Sequence, residues 1–327
     1  MRFGRTLVSF IGLTVILFSG DLWLENGLAF NTNRIAFTFS KLGESEIYVM
    51  DADGRNRENL TNHPAYDSSP DWSPDRTKIA FVSSRDGGNQ IYVMDADGNN
   101  PIRLTDGPLT KWAPDWSPDG QRIAFTVQPA AIRESYIAVM DADGNNRVRF
   151  KDHARDPSWS PDGREIAFSS QRDGEWWDDI YVIGTDGQGL RRVTHELREL
   201  WGAYRPAFSP DGKRIAYVAI DELYPQIFVV GTDGKNRVRL TQGQQNHGSP
   251  AWSVSGRRIA YVVWDNDDGP STIHLMTSHG EYLKRLSVVD GADDGEPDIR
   301  SFGLAVSPAS KTTTTWGKLK KLAHDLE

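Results

Sequence analysis

Pro114-Asp-Trp-Ser-Pro-Asp-Gly120, followed at once by Arg122-Ile-Ala-Phe125, is one copy of a pattern that recurs along most of this 327-residue chain. It returns as Pro70-Asp-Trp-Ser-Pro-Asp75 with Ile79-Ala-Phe81, and as Pro157-Ser-Trp-Ser-Pro-Asp-Gly163 with Ile166-Ala-Phe168. Later copies are Pro206-Ala-Phe-Ser-Pro-Asp-Gly212 with Ile215-Ala-Tyr217, and Pro250-Ala-Trp-Ser253 with Ile259-Ala-Tyr261. A sixth triplet, Ile35-Ala-Phe37, stands alone. Successive triplets begin 44, 44, 43, 49 and 44 residues apart. A period in the mid-forties, made of short strands and Gly turns, is the signature of propeller blades.

Each repeat reads as four strands, a to d. Pro-x-Trp-Ser is strand a and Ile-Ala-Phe is strand b. The Ser-Pro-Asp-Gly between them is a tight turn in which Pro pre-sets φ, Asp bonds its own backbone and Gly takes φ > 0. Strand c is Ile47-Tyr-Val-Met-Asp51 and its counterparts at 91–95, 137–141, 180–184, 227–231 and 273–277. A second turn follows, at Asp97-Gly98 for example, and strand d ends in Leu-Thr, as at Leu104-Thr105. Strands b and c are nearly continuous apolar runs, as in sheets covered on both faces. A Trp between blades, such as Trp116, contributes at least about 1.5–3 kcal/mol by burial. The expected fold is all-β: a six-bladed propeller over 30–311, with four-stranded blades.

The chain ends indicate how such a ring closes. The first copy enters at strand b, and Leu304-Ala-Val-Ser-Pro308 aligns with Pro206-Ala-Phe-Ser-Pro210. Blade one is therefore expected to combine strands b, c and d from the N-terminus with an innermost strand from the C-terminus. Closure of this kind leaves no sheet edge open to another chain.

Taken together, Pro-x-Trp-Ser-Pro-Asp-Gly, Ile-Ala-Phe, Ile-Tyr-Val-Met-Asp and Asp-Gly…Leu-Thr resemble the TolB-type propeller repeats, a branch of the WD40-like group. The resemblance covers about Asn33 to Pro308. It implies a propeller-only relative, since neither the α/β domain that precedes the TolB propeller nor the hydrolase domain of propeller peptidases has room here.

Residues 1–29 read as a signal peptide. Arg2 and Arg5 precede the apolar run Leu7–Phe18, and Gly27-Leu28-Ala29 offers small residues at the positions a signal peptidase reads. Retention as an anchor is the alternative. The apolar run is short for a membrane span, which needs about 20 residues. With no Cys, neither a disulfide nor a Cys-linked lipid is available. The expectation is a monomer delivered to the periplasm or secreted, without stable membrane insertion after cleavage. Net charge is −8, and no basic stretch tracks phosphates, which argues against nucleic acid as a partner. The basic cluster Lys318, Lys320 and Lys321 falls in the 312–327 tail, where Trp316, Leu319, Leu322 and Leu326 have helical spacing.

Propeller topology puts the a–b and c–d turns on one face and the b–c and d–a connections on the other. The first face is uniform. The second varies in length and chemistry, and Trp112, Trp176, Trp177, Trp201 and Trp264 all fall on it. Such a concentration of aromatics marks a binding surface, although long loops also bury aromatics beneath themselves. Residues just before each strand a are expected to ring the channel mouth: Tyr66 and Asp67; Lys111 and Trp112; Arg155 and Asp156; Tyr204 and Arg205; His247 and Ser249; Arg300 and Phe302. Aromatic faces alternating with charge suit a protein, a peptide or a glycan, with cell-envelope components among the candidate partners. The segment from His195 to Arg205, carrying Trp201, is expected to overhang the mouth.

No cofactor, metal site or catalytic residue is expected. Asp95-x-Asp97-Gly and Asp141-x-Asp143-Gly begin like calcium loops but lack Glu at the twelfth position. The acidic loop Asp290–Asp298 is a more credible cation holder than either. There is no Gly-x-Ser-x-Gly, Cys nucleophile or His-Glu-x-x-His. His63, His153, His195 and His247 share the variable side at unequal distances from strand a. The alternative reading is a funnel-site enzyme, a metal-dependent polysaccharide lyase or hydrolase. It follows from the resemblance, and only His247 with Gln244 and Gln245 lies in a similar setting.

The closure expectation has a direct test. Deletion from residue 303 onward should lower the melting temperature far more than deletion from Thr312, because only the first removes the innermost strand of blade one. Equal melting temperatures would show that Leu304–Pro308 does not close the ring.

Overall fold

The computed structural model describes residues 34–41, 44–129, 134–171, 178–194, 200–221, 223–264 and 271–286. These form six antiparallel sheets, each built from strands that are consecutive in the chain. Blade one holds β1 (Arg34–Lys41), β2 (Glu44–Asp51) and β3 (Glu58–Asn59), and blade two β4 (Asp67–Trp72), β5 (Lys78–Ser83), β6 (Gln90–Asp95) and β7 (Ile102–Arg103). Blade three comprises β8 (Thr110–Trp116), β9 (Arg122–Gln128), β10 (Tyr136–Asp141) and β11 (Val148–Asp152). In blade four the strands are β12 (Arg155–Trp159), β13 (Glu165–Ser170), β14 (Asp179–Gly184) and β15 (Arg191–Arg192). Blade five has β16 (Leu200–Phe208), β17 (Arg214–Asp221), β18 (Tyr224–Gly231) and β19 (Val238–Arg239). Blade six has β20 (Asn246–Trp252), β21 (Arg258–Trp264), β22 (Thr272–Thr277) and β23 (Tyr282–Arg285). The protein is a six-bladed propeller of four-stranded blades. Blade one shows three strands among the described residues, and Leu304–Pro308 lies outside them.

Each Ile-Ala-aromatic triplet explains how two blades fit. Alternation along a strand sends Ile79 and Phe81 back towards blade one, where with Trp72 of their own innermost strand they meet Ile47 and Val49. Ala80 and Val82 face forward and receive Trp116, Ile123 and Phe125 of blade three. The small residue of one blade thus leaves the space that the large residues of the next one fill, giving the close packing that interiors require. The same arrangement joins blade six to blade one, with Ile35, Phe37 and Met50 against Ala260, Val262 and Leu275. Side-chain packing therefore runs around the whole ring.

The a–b turns follow from their side chains. Ser73 Oγ donates to Asp75 Oδ1 at 2.7 Å and accepts from the Lys78 N–H at 3.0 Å, while the Thr77 N–H reaches the same carboxylate. The arrangement recurs at Ser117 with Asp119, Ser160 with Asp162 and Ser209 with Asp211. Gly120, Gly163, Gly212 and Gly256 take positive φ in these turns, and in blade two Arg76 does so at φ 62°.

Candidate functional site

Every described innermost strand starts two to six residues before its Pro-x-Trp or Pro-x-Phe core and is interrupted by a bulge. The register shifts between Ser68 and Asp71 in β4, Trp112 and Asp115 in β8, Arg155 and Ser158 in β12, Tyr204 and Ala207 in β16, and Gly248 and Ala251 in β20. The residue before each proline is left-handed: Ser69, Ala113, Asp156, Arg205 and Ser249, with φ of 53°, 56°, 53°, 53° and 47°. A bulge accommodates the proline, which cannot serve a regular ladder. It also releases a backbone N–H that the preceding blade accepts. Ser69 N–H donates to Thr38 Oγ1 at 3.1 Å, Asp156 N–H to Thr126 Oγ1 at 3.0 Å, and Arg205 N–H to Ser169 Oγ at 3.2 Å.

Most of the expected mouth residues therefore sit within strand, and they divide by register. Asp67, Lys111 and His247 occupy the third position before proline and are buried. Burial pushes the Asp67 carboxyl up, against the opposing pull of Ser83 and Arg85, whose Nη2 donates to it at 2.9 Å. Burial and the nearby Arg147 bring Lys111 down to about 8, and its Nζ donates to the carbonyl of Asp106 at 2.6 Å. These side chains tie a d–a connection or a neighbouring strand in place.

Of the remaining positions Ser249 is buried and the others are more open, meeting partners within a blade or across two. The Tyr66 and Trp112 rings meet edge to face at 6.3 Å, joining blades two and three. Arg155 pairs with Asp178 and stands 4.0 Å from Asp156, while Arg205 Nη1 donates to Ser249 Oγ at 2.6 Å between blades five and six. Tyr66 keeps 42% of its surface exposed. Leu200–Arg205 belongs to β16, so this part of the expected overhang is an extension of the innermost strand. Only the backbone of Trp201 is described. Arg300 and Phe302 lie outside the described residues, as do Trp176, Trp177 and His195.

Trp264 follows the other reading of a loop aromatic. It packs against the apolar cluster between blades six and one, and its ring lies so close to Gly248 that an added Cβ would sit 2.9 Å from it.

Sequence reasoning missed a second set of polar contacts that shape this face. The Thr that ends strand d, in Leu-Thr or Val-Thr, accepts the N–H of the Ile of strand c: Thr105 from Ile91, Thr194 from Ile180 and Thr241 from Ile227, each at 2.9 Å. The same hydroxyls donate to Gln90 at 2.9 Å, Asp179 at 2.7 Å and Gln226 at 2.8 Å. Gln90 and Gln226 then reach carbonyls in their d–a connections. The recurrence of Leu-Thr was the available signal, but its partner varies among Gln, Asp and Glu and so escapes a repeat search.

In blade six, His247, Tyr261, His274 and Tyr282 form a ladder of rings with centroids 5.9, 5.6 and 5.7 Å apart. Burial drives both imidazoles down to about 4, helped by Arg239 near His247 and Arg285 near His274. His247 is thus a neutral packing residue. Among the described residues no three His, Asp or Glu side chains are grouped as a metal would require. In the Asp-x-Asp-Gly turns the carboxylates are engaged locally, Asp97 by the Asn99 N–H and Asp95 by Asn100.

A family profile for the TolB beta propeller domain matches residues 28–147 and 106–204. A tricorn protease homologue of Streptomyces coelicolor is 30% identical over 122 residues, which make up 37% of this chain and 9% of that protein. The Tol-Pal system protein TolB of Pseudomonas putida is 40% identical over 67 residues, 20% of this chain and 15% of that protein. The matched stretch is thus a small part of each of these relatives. Among solved structures, TolB from Acinetobacter baumannii superposes with a TM-score of 0.71 at 22% identity, covering 82% of this chain and 67% of that one, a likeness of fold.

The depressed histidines set a pH dependence. An unfolded imidazole binds its proton near pH 6.5, whereas folded His247 stays neutral down to about 4. The stability this burial permits is complete above pH 6.5 and declines as pH falls towards 4, by up to about 3 kcal/mol for His247. Denaturant midpoints between pH 7.5 and 4.5 should fall steeply for the wild type and less steeply for His247→Leu. Parallel curves would remove His247 from the acid response.

Proposed function

The chain belongs to the TolB beta propeller domain family, and from that membership we propose an exported, non-catalytic propeller that binds a segment of another protein on the face bearing the b–c and d–a connections. The observation that carries this reading is the contrast between the two faces. On one, unlike groups come together: the Tyr66–Trp112 pair and Arg205 with Ser249 between neighbouring blades, and Arg155 with Asp156 and Asp178 within blade four. On the other, the same Ser-Pro-Asp turn recurs with the same internal hydrogen bonds. Unlike groups on rigid strands suit recognition, since aromatic and Arg side chains commonly anchor interfaces and a strand fixes them at little entropic cost. A relative named as a Tol-Pal system protein makes cell-envelope proteins the first partners to test.

Peptide and glycan arrays probed with the purified chain, with and without EDTA, distinguish the readings. Peptide binding should survive EDTA and weaken at least about tenfold in a Trp112→Ala/Arg205→Ala variant, equivalent to about 1.4 kcal/mol or more. Undiminished binding by that variant would place the site elsewhere. Binding confined to glycans would replace the protein partner, and turnover abolished by EDTA would favour the enzyme reading.

Export rests on the Arg2/Arg5, Leu7–Phe18 and Gly27-Leu28-Ala29 pattern. N-terminal sequencing of protein from a secreting host should begin at or next to Phe30. An intact Met1 start held at the membrane would overturn it.

A further inference from the structure

On the face of the a–b and c–d turns, a groove of about 870 Å³ opens between blades two and three. Trp116 borders it but is only 7% exposed, so the apolar surface on offer belongs to Ile102 and Leu104. Ile102 is 60% exposed, high for an isoleucine in strand. Leu104 is half-exposed, whereas its counterparts Leu60, Val193, Leu240 and Leu286 are buried. Blade two thus leaves bare a position of strand d that blades one, four, five and six cover.

The groove is acidic. Asp75, Asp119 and Asp143 stand along it, all exposed. Burial raises Asp75, but hydrogen bonds from Ser73 and Thr77 outweigh it and hold the carboxyl below its ordinary value. Asp143 is also lowered, chiefly by the Asn145 N–H. Lys78, the cation beside them, turns to Asp95 Oδ1 at 3.0 Å, while its counterparts Arg122 and Arg214 lie 4.8 Å from the Trp159 and Trp252 ring centroids. Arg103, next to Ile102, donates to the Thr105 carbonyl at 2.6 Å and does not line the groove. Other exposed apolar side chains have basic neighbours: Leu190 precedes Arg191 and Arg192, Val238 lies between Arg237 and Arg239, and Tyr282 and Leu283 precede Lys284 and Arg285. Tyr66 and Leu223 belong to connections of the opposite face.

The chain itself carries a segment of matching chemistry. In 312–327, Trp316, Leu319, Leu322 and Leu326 recur at helical spacing, with Lys318, Lys320 and Lys321 among them. Innermost strands end on the turn face, as β4 and β8 do where Ser73 and Ser117 open their a–b turns. If Leu304–Pro308 closes blade one as its alignment implies, it ends on that same face, beside blade two. Residues 309–315 then span up to about 23–25 Å when extended, against about 10 Å between packed sheets. Trp316 can reach the groove.

We propose that this groove is the docking site of the chain's own 312–327 tail, which lays Trp316, Leu319 and Leu322 over Ile102 and Leu104 and sets its three lysines against Asp75, Asp119 and Asp143. An amphipathic helix laid in an apolar groove is a recurring mode of recognition. Docked there, the tail straps blades two and three to the strand that completes blade one.

The test uses the full chain and trypsin, which cuts after Lys318, Lys320 and Lys321 only while that segment is released. Ile102→Asn, at an exposed position, removes apolar contact without adding a cleavage site. It should speed cleavage at these lysines at least about tenfold, because proteolysis follows the released population and one buried isoleucine is worth that ratio. Val238→Asn, at a comparably exposed position in blade five, should leave the rate unchanged. Carbodiimide coupling read by mass spectrometry should join the tail lysines to Asp75, Asp119 or Asp143 within one chain. Equal cleavage of wild type and Ile102→Asn overturns the proposal, as does equal acceleration by Val238→Asn. Tail links confined to carboxylates of other blades overturn it as well. So do links joining light to heavy chains in an isotopically mixed sample, which would make the occupant the tail of a second copy. The two truncations described above read ring closure separately.

Discussion

The ring depends on backbone N–H groups that the innermost strands cannot satisfy within their own blades. A proline in each described innermost strand enforces a bulge, and an unanswered buried N–H costs about 1–3 kcal/mol. The neighbours answer. Hydroxyls on strand b accept the bulge N–H groups of Ser69, Asp156 and Arg205. Carboxylates on strand a do the same for the tryptophans: Asp71 accepts the Trp116 N–H and Asp115 the Trp159 N–H, each at 2.7 Å. Each blade is therefore incomplete as a hydrogen-bonding unit until another stands beside it. Apolar packing of Ile and Phe against the next Ala favours association, and these bonds fix its register.

The same bulge separates structural from recognition positions. Before it, every second side chain returns to the crevice between blades, where Asp67, Lys111 and His247 are buried at the position that Ala154 and Ala203 hold in blades four and five. The residues between them, Trp112, Arg155 and Tyr204, together with the left-handed Asp156 and Arg205, remain half-exposed. Left-handed φ costs a non-glycine residue about 1 kcal/mol or more, and it recurs here five times. The ring hydrogen bonds hold that strain, so side chains at the bulge are presented on a stiff support. Little ordering entropy then remains to be lost on binding.

How much of this was legible in the sequence follows from what the repeat preserves. Pro-x-Trp-Ser-Pro-Asp-Gly and Ile-Ala-Phe encode packing and turns that every blade needs in one form, so they disclosed six blades and nearly every strand. The mouth is made of residues that the repeat leaves unconstrained. Taking residues at one to four positions before the proline as equivalent mixed buried positions such as Lys111 with open ones such as Arg155. Only the register around the bulge sorts them, and an extra residue in one strand is invisible to spacing counts. The Thr105–Gln90 and Thr194–Asp179 contacts were hidden for a related reason. They lie 15 residues apart, and one partner changes identity from blade to blade.

Departures from the repeat carry more information about function than the repeat itself. A shared position is under the same packing demand in every blade, so a different residue there must leave a physical trace. Arg76 stands where the other turns have Gly, and its guanidinium lies 5.4 Å from the Trp72 ring. Lys78 stands where Arg122 and Arg214 cover an indole, and it turns to Asp95. The first change brings a cation to its crevice, and the second withdraws one. The turn face, uniform as a sequence pattern, is therefore chemically asymmetric, with one indole covered by a guanidinium next to one that borders an open, acidic groove. A ring of near-identical blades acquires a direction through such single exchanges, because each alters the charge beside one crevice and leaves in place the packing that all blades share.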